Sequence, residues 1–242
     1  MGSPESVWIP VVAGVIVAIA GIPVARWLEE ATYRKPDEVD DPVPARRWWV
    51  PLALGLSSAL VLHRIWFSDR GPEISPWVGT VLSATLLMLV LSCVCLAAMD
   101  LDVHRLPDRI MWPTMGFLAA GLTLAALVGG GLDAWVRTML GGLAAGAFYL
   151  LLALVSLARG SLSLGLGDVK LAVVLGAALG WFGWAEMITG IYAGFLVGGV
   201  VALALLAGRR VSWEGHFAFG PPMMVGALLG LLTAPTLLTA LS

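Results

Sequence analysis

Two aspartates carry the most chemistry in this sequence. Asp100 lies in Met99-Asp100-Leu101-Asp102-Val103-His104-Arg105-Leu106-Pro107-Asp108-Arg109, at the end of a long apolar run. Asp168 lies in Leu164-Gly165-Leu166-Gly167-Asp168-Val169-Lys170-Leu171, at the start of another. Two carboxylates brought together suit hydrolysis by general acid–base chemistry. One, ionised, takes a proton from a water; the other, protonated, polarises the carbonyl under attack and later protonates the leaving amine. Such a pair shares a proton and titrates jointly. Read singly, each string has a plainer explanation. The first is a polar turn, with Pro107 stopping a helix, Asp108 placed to cap the next one, and Asp102, His104, Arg105 and Arg109 as ordinary loop residues. The second is a glycine-rich turn in which Gly165 and Gly167 allow a tight bend and Asp168 is an N-cap.

The elements that position these residues follow from composition. The chain has 242 residues, 59% hydrophobic and 12% charged, with a mean hydropathy of +0.92. A soluble domain carries about 25% charged residues, so a water-soluble monomer is excluded, as is a disordered chain. The apolar runs are continuous and helix-length, which argues against a β-barrel. The expected class is all-α: a polytopic transmembrane helical bundle in a lipid bilayer. About eight spans fall near 7–28, 48–67, 77–99, 111–129, 134–158, 168–184, 186–207 and 218–241. A re-entrant pair is the alternative for the sixth and seventh. The first run lacks a basic flank and is too long for a signal peptide core, so it reads as a retained span. Residues 1–47 then form a first span plus a short cysteine-free loop, and 48–242 the membrane core. The net charge of −2 gives no reason to expect nucleic acid. Cys93 and Cys95 sit two apart in one apolar run and read as packing residues.

Basic residues orient the bundle, because cytoplasmic loops are enriched in Lys and Arg. With the 29–47 loop in the cytoplasm, that side receives Arg26, Arg34, Lys35, Arg46, Arg47, Arg105, Arg109, Arg159, Lys170, Arg209 and Arg210. The outer side receives only Arg64, Arg70 and Arg137. Both termini fall outside. Trp48, Trp49, Trp66, Trp77, Trp112, Trp135 and Trp184 lie near span ends, where interfacial aromatics belong. In this frame Asp100 and Asp168 emerge at the same cytoplasmic face, two spans apart, which favours the paired reading over two unrelated turns.

On these residues the chain resembles the type IV prepilin peptidases, GxGD-type aspartic proteases of bacterial inner membranes. Asp100 with Leu106-Pro107-Asp108 is similar to the family's D-x-x-x-x-x-L-P-D segment. Gly165-Leu166-Gly167-Asp168-Val169-Lys170 is similar to its G-x-G-D-x-K segment. Phe219-Gly220-Pro221 is similar to its P-F-G-P segment, although Ala218 stands where the proline would. The resemblance covers about 95–242. It implies that Asp100 and Asp168 are the catalytic pair, with Gly165, Gly167, Lys170, Leu106, Pro107, Asp108, Phe219, Gly220 and Pro221 as supporting motif residues. It further implies a prepilin or pseudopilin substrate, with a short basic leader at the cytoplasmic surface and an apolar helix in the bilayer, cut after a glycine.

The resemblance departs at the N-terminal part. Larger members carry two CxxC pairs that bind zinc between their first two spans, and methylate the new N-terminus with S-adenosylmethionine. Residues 29–47 contain no cysteine. The expectation is therefore leader cleavage without zinc or any other cofactor, and without methylation. Intramembrane acids also mark ion pathways, so a transporter is the competing class. Its signature would be related halves and midplane charges, whereas these acids sit at span ends on one side. A non-catalytic assembly protein, indifferent to loss of both aspartates, is a third reading. Two finer expectations rest on charge. The helix macrodipole favours an anion at a helix N-terminus and disfavours one at a C-terminus. Asp168, opening a span, is thus expected to be the base and Asp100 to hold the shared proton, with Lys170 reinforcing this if it folds toward Asp168. Glu29, Glu30, Asp37, Glu38, Asp40 and Asp41 are candidates to attract a basic leader.

Overall fold

A computed structural model describes residues 5–35, 38, 46–67, 74–158, 165–207 and 218–241. These form eight helices: α1 Glu5–Glu29, α2 Trp49–Trp66, α3 Pro76–Val103, α4 Asp108–Ala125, α5 Leu132–Ala158, α6 Leu166–Phe182, α7 Trp184–Ala207 and α8 Gly220–Leu241. No strand occurs among the described residues. Six helices (α1 to α5 and α7) are long and apolar enough to cross a membrane. Their outward faces are apolar at mid-helix, as at Ile16 (61% exposed), Leu143 (68%) and Val200 (66%). Water would not tolerate so wide an apolar surface, and lipid requires it. The protein is a multi-pass membrane protein.

Turn chemistry sets the helix ends. Pro76 occupies the first turn of α3, where its missing N–H costs nothing, and the Ser75 hydroxyl accepts the Val78 N–H at 3.4 Å. α3 ends before Pro107: His104 takes the left-handed conformation (φ 50°) and its N–H returns to the Asp100 carbonyl at 3.0 Å. A π turn, Ala126–Gly130, closes α4, and Gly129 (φ 120°) and Gly131 (φ 87°) supply the left-handed backbone that leads into α5.

Close backbone approach packs the second half of the bundle. A Cβ on Gly176 of α6 would lie 2.6 Å from the Gly141 carbonyl oxygen of α5, and one on Gly230 of α8 would lie 2.5 Å from the Gly190 Cα of α7. In lipid, where the hydrophobic effect does not drive helices together, such small-residue contacts do. α6 packs closely against α5 at this point. Its far end receives the Arg137 guanidinium on the Trp181 carbonyl at 3.1 Å, and Arg64 of α2 stands 5.0 Å from the Phe182 ring centre. α6 is a separate helix of 17 residues and is not among the six long enough to cross a membrane.

The charges divide between the two ends. Arg34, Arg47, Arg105 and Lys170 make their contacts at the end that holds Asp100 and Asp168. Arg64 and Arg137 make theirs at the opposite end. Arg70, Arg159, Arg209 and Arg210 lie outside the described residues.

Candidate active site

Three helix ends meet here. Asp100 stands in the last turn of α3, only 4% exposed. It accepts the backbone N–H of Gly220, the first residue of α8, at 3.0 Å. Asp168 stands in the first turn of α6, half-buried, and accepts the N–H of Gly165 at 3.0 Å, which satisfies one of the unpaired donors of that helix start. Leu106, buried in the α3–α4 connection, touches both helix starts. A Cβ on Gly167 would lie 3.2 Å from the Leu106 Cβ, and one on Gly220 would lie 3.5 Å from its Cδ2. Leu106 thus joins the two helix starts whose residues bear or bond the carboxylates. The sequence expectation that the chain brings Asp100 and Asp168 to one end is met.

Their helix ends do not distinguish them as expected. Asp100 closes α3, but it also faces the N-terminus of α8. Both carboxylates thus receive a backbone N–H at a helix start, where an anion is favoured. The predicted macrodipole asymmetry is cancelled by α8, a packing partner that the local sequence does not reveal.

Lys170 does not fold toward Asp168. Its ammonium donates to Asp108 Oδ1 at 2.6 Å and lies 5.2 Å from the Trp112 ring centre. The reason is geometric: Lys170 follows Asp168 by two residues and so points elsewhere on the helix. Asp108 is likewise not a cap. Pro107 occupies the N-cap position, and Asp108 is the first helical residue of α4, where its carboxylate meets Lys170. Nor is Asp168 an N-cap; that position is Gly165, and Asp168 lies three residues inside.

The glycines serve space more than bending. Gly165 has φ −81° and ψ 157°, an extended conformation open to any residue, and Gly167 is not among the positive-φ glycines. Gly167 yields room to Leu106. Gly220 yields room to the Asp100 carboxylate, since a Cβ there would lie 2.8 Å from Asp100 Oδ2. Phe219 holds this helix start in place: its ring lies 5.5 Å from Phe195 of α7 and 6.3 Å from Tyr149 of α5. Tyr149 is 2% exposed and stacks on Phe195 at 5.4 Å.

An apolar cleft of about 520 Å³ lies between α2, α3, α6 and α8; neither aspartate lines it, but Leu101 and Pro221 are chain neighbours of the Asp100–Gly220 contact. Ala97, Leu101 and Pro221 line its aspartate end, and Leu86, Phe182 and Leu231 its far end. Leu86 to Leu101 on α3 corresponds to about 22 Å of helix rise.

Two polar features went unread in the sequence. One is a network on the 29–47 stretch. Asp102 accepts the Tyr33 hydroxyl at 2.7 Å and Arg34 at 2.8 and 3.0 Å, and Arg105 donates to Glu38 at 2.6 and 2.7 Å. Asp102 and Arg105 are thus not simple solvated loop residues. Glu29 accepts the Arg47 backbone N–H at 2.9 Å, which leaves its charge uncancelled, and Glu38 is paired with Arg105. Glu30 is exposed, and Asp37, Asp40 and Asp41 lie outside the described residues. The other is a buried pair at the opposite end, where Arg64 donates to Glu186 at 3.2 Å and to the Leu231 carbonyl at 3.2 Å. The available signal was the general rule that an ionisable residue at membrane depth seeks a partner.

Comparison with known proteins gives the family of the chain. The profile of the type IV leader peptidase family matches residues 87–203, a segment that contains both aspartates. The chain is 31% identical over 220 residues to a prepilin leader peptidase/N-methyltransferase of Aeromonas hydrophila, covering 90% of this chain and 68% of that protein. The chain belongs to the type IV leader peptidase family. Similar relatives with the same name occur in Stutzerimonas stutzeri (28% over 219 residues; 90% of this chain, 68% of the relative) and Neisseria gonorrhoeae (32% over 140 residues; 57% and 45%). The chain spans about half the length of the Aeromonas salmonicida relatives, at 51%. No solved structure matches. As a member of this peptidase family, the chain is an enzyme whose described residues bring Asp100, Asp168, Leu106, Gly167, Phe219 and Gly220 to one place, with Lys170 and Asp108 paired beside it.

Proposed function

We propose that this protein removes the leader peptide of a type IV prepilin or pseudopilin at the cytoplasmic face of a bacterial inner membrane. One observation carries the reading: Asp100 and Asp168 stand at helix ends joined by Leu106 at one end of a membrane bundle, beside an apolar cleft whose Leu101 and Pro221 are chain neighbours of the Asp100–Gly220 contact. An apolar substrate helix lies in the cleft, and its junction with the polar leader reaches the carboxylates. The basic residues gathered at this end support the cytoplasmic orientation.

Asp168 is the more exposed of the two and has access to water, so it takes the base role. It removes a proton from a water whose oxygen attacks the scissile carbonyl carbon. Asp100 donates its proton to the carbonyl oxygen, giving a neutral gem-diol. Asp100, now ionised, takes a proton back from a gem-diol hydroxyl as the carbonyl re-forms. Asp168 delivers the proton it took to the departing amine, the C–N bond breaks, and the starting protonation states return.

The reading includes no zinc and no S-adenosylmethionine-dependent methylation, supported by the cysteine-free stretch 29–47. The test is co-expression with a candidate prepilin, followed by intact mass of the product. Loss of the leader without added methyl mass is expected. An uncut precursor contradicts the peptidase reading, and a methylated product contradicts the cofactor reading.

A further inference from the structure

The network on residues 29–47 reaches the site through very few covalent bonds. Asp102 is two residues from Asp100 and four from Leu106. Its carboxylate is engaged on both oxygens: Arg34 Nη2 on Oδ1 at 2.8 Å, and Arg34 Nε on Oδ2 at 3.0 Å together with the Tyr33 hydroxyl at 2.7 Å. The Arg34 and Asp102 side chains are each 6% exposed. Arg47 extends the cluster, donating to the Tyr33 hydroxyl at 3.0 Å and lying 3.9 Å from Asp102 Oδ2. Three residues further on, Arg105 grips Glu38 with two donors and also donates to the Tyr33 carbonyl at 3.2 Å. The α1–α2 connection thus holds the α3–α4 connection on either side of the left-handed His104.

We infer that this clamp is a positioning device for the reaction: Arg34 and Asp102 fix the last turn of α3, and with it Asp100 and Leu106, against the starts of α6 and α8. Two physical arguments support it. A bidentate guanidinium–carboxylate pair fixes orientation as well as distance, so it restrains rotation of the turn that carries Asp100. Asp102 is also a third carboxylate beside a pair that must share one proton, and Arg34 cancels its charge. The inference rests on the peptidase reading, with Arg34 and Asp102 acting through Asp100 and not on substrate.

The test is steady-state kinetics of the full chain in lipid nanodiscs, with a synthetic prepilin leader peptide and Asp100→Asn as the inactive control. Arg34→Ala and Asp102→Asn are each expected to lower kcat by about 10- to 100-fold, the scale of a small misplacement of a reacting group. KM is expected to stay within about threefold. The double variant is expected to be no worse than either single one, since the two residues act as a unit. Arg34→Lys, which keeps the charge but loses the fork, is expected to fall between wild type and Arg34→Ala and answers for any variant that fails to insert. Unchanged kcat in Arg34→Ala or Asp102→Asn, beside an inactive Asp100→Asn, overturns the clamp and leaves the peptidase reading intact. A raised KM at constant kcat also overturns it, because the loop would then be binding substrate. No cleavage by wild type contradicts the peptidase reading itself.

Discussion

Asp100 and Gly220, 120 residues apart in the chain, meet at 3.0 Å through the carboxylate of one and the backbone N–H of the other. This contact turns the end of α3 into the neighbour of the start of α8. It also gives the Phe219-Gly220-Pro221 string a physical role: Phe219 anchors, Gly220 leaves room, and Pro221 lines the cleft.

The two glycines whose N–H groups bond the aspartates, Gly220 and Gly165, should therefore behave differently. Gly220→Ala places a methyl group against Asp100 and is expected to lower kcat/KM by about 100-fold, the cost of displacing a reacting group. In Gly165→Ala the added carbon meets only an ordinary contact, 3.7 Å from Asp168 Oδ2. That variant is expected to stay within about twofold of wild type. Peptide cleavage by the two purified variants decides the matter, and equal loss in both would contradict the steric account.

Asp108 belongs to a matching motif, yet its partner is Lys170 and its side chain is 60% exposed. Exposed pairs of this kind contribute about 0–1 kcal/mol. Asp108→Asn is expected to cleave within about threefold of wild type and to melt within a few degrees of it. A dead Asp108→Asn that still inserts and melts normally would assign Asp108 to the chemistry.

The buried Arg64–Glu186 pair should show the asymmetry of desolvated charges. Each side chain is 8% exposed. Arg64→Met alone leaves Glu186 uncompensated and is expected to cost about 3–5 kcal/mol, whereas Arg64→Met with Glu186→Met is expected to recover most of it. Thermal unfolding in detergent measures both. A double variant no better than the single one would show that the pair is not the unit of stability at that end of the bundle.

Acid should release the clamp. The Arg105 guanidinium holds the Glu38 carboxyl down, from its ordinary 4.5 to about 2. A depressed carboxyl pKa contributes stability that is full above the unfolded value and lost as pH falls through the folded one. Hydrogen exchange of residues 30–35 and 103–106 is expected to be unaffected by this group from pH 7 to about 5, and to quicken between about 4.5 and 2. Glu38→Gln is expected to remove that step. An identical acid step in wild type and Glu38→Gln would place its origin elsewhere.

How much of this was legible in the sequence depended on range. The apolar runs gave the helices, and the motif spacing with the basic asymmetry brought Asp100 and Asp168 to one end. Three of the readings that local rules got wrong share one cause. Asp108 looked like a cap because it precedes an apolar run, but its carboxylate finds Lys170, 62 residues away. Asp100 looked disfavoured by its own helix, but α8 supplies the opposing dipole. Asp102 and Arg105 looked solvated because charged turns usually are, while their partners Arg34 and Glu38 stand 68 and 67 residues earlier. Each miss is a long-range polar contact, which periodicity and spacing do not encode.

The central claim is that Asp100 and Asp168 perform the cleavage together. Its most direct test is mass-spectrometric scoring of leader removal from a prepilin substrate by Asp100→Asn and Asp168→Asn, with expression and membrane insertion checked in parallel. The account predicts that each variant inserts normally and leaves the precursor uncut. Substantial cleavage by either one would contradict it.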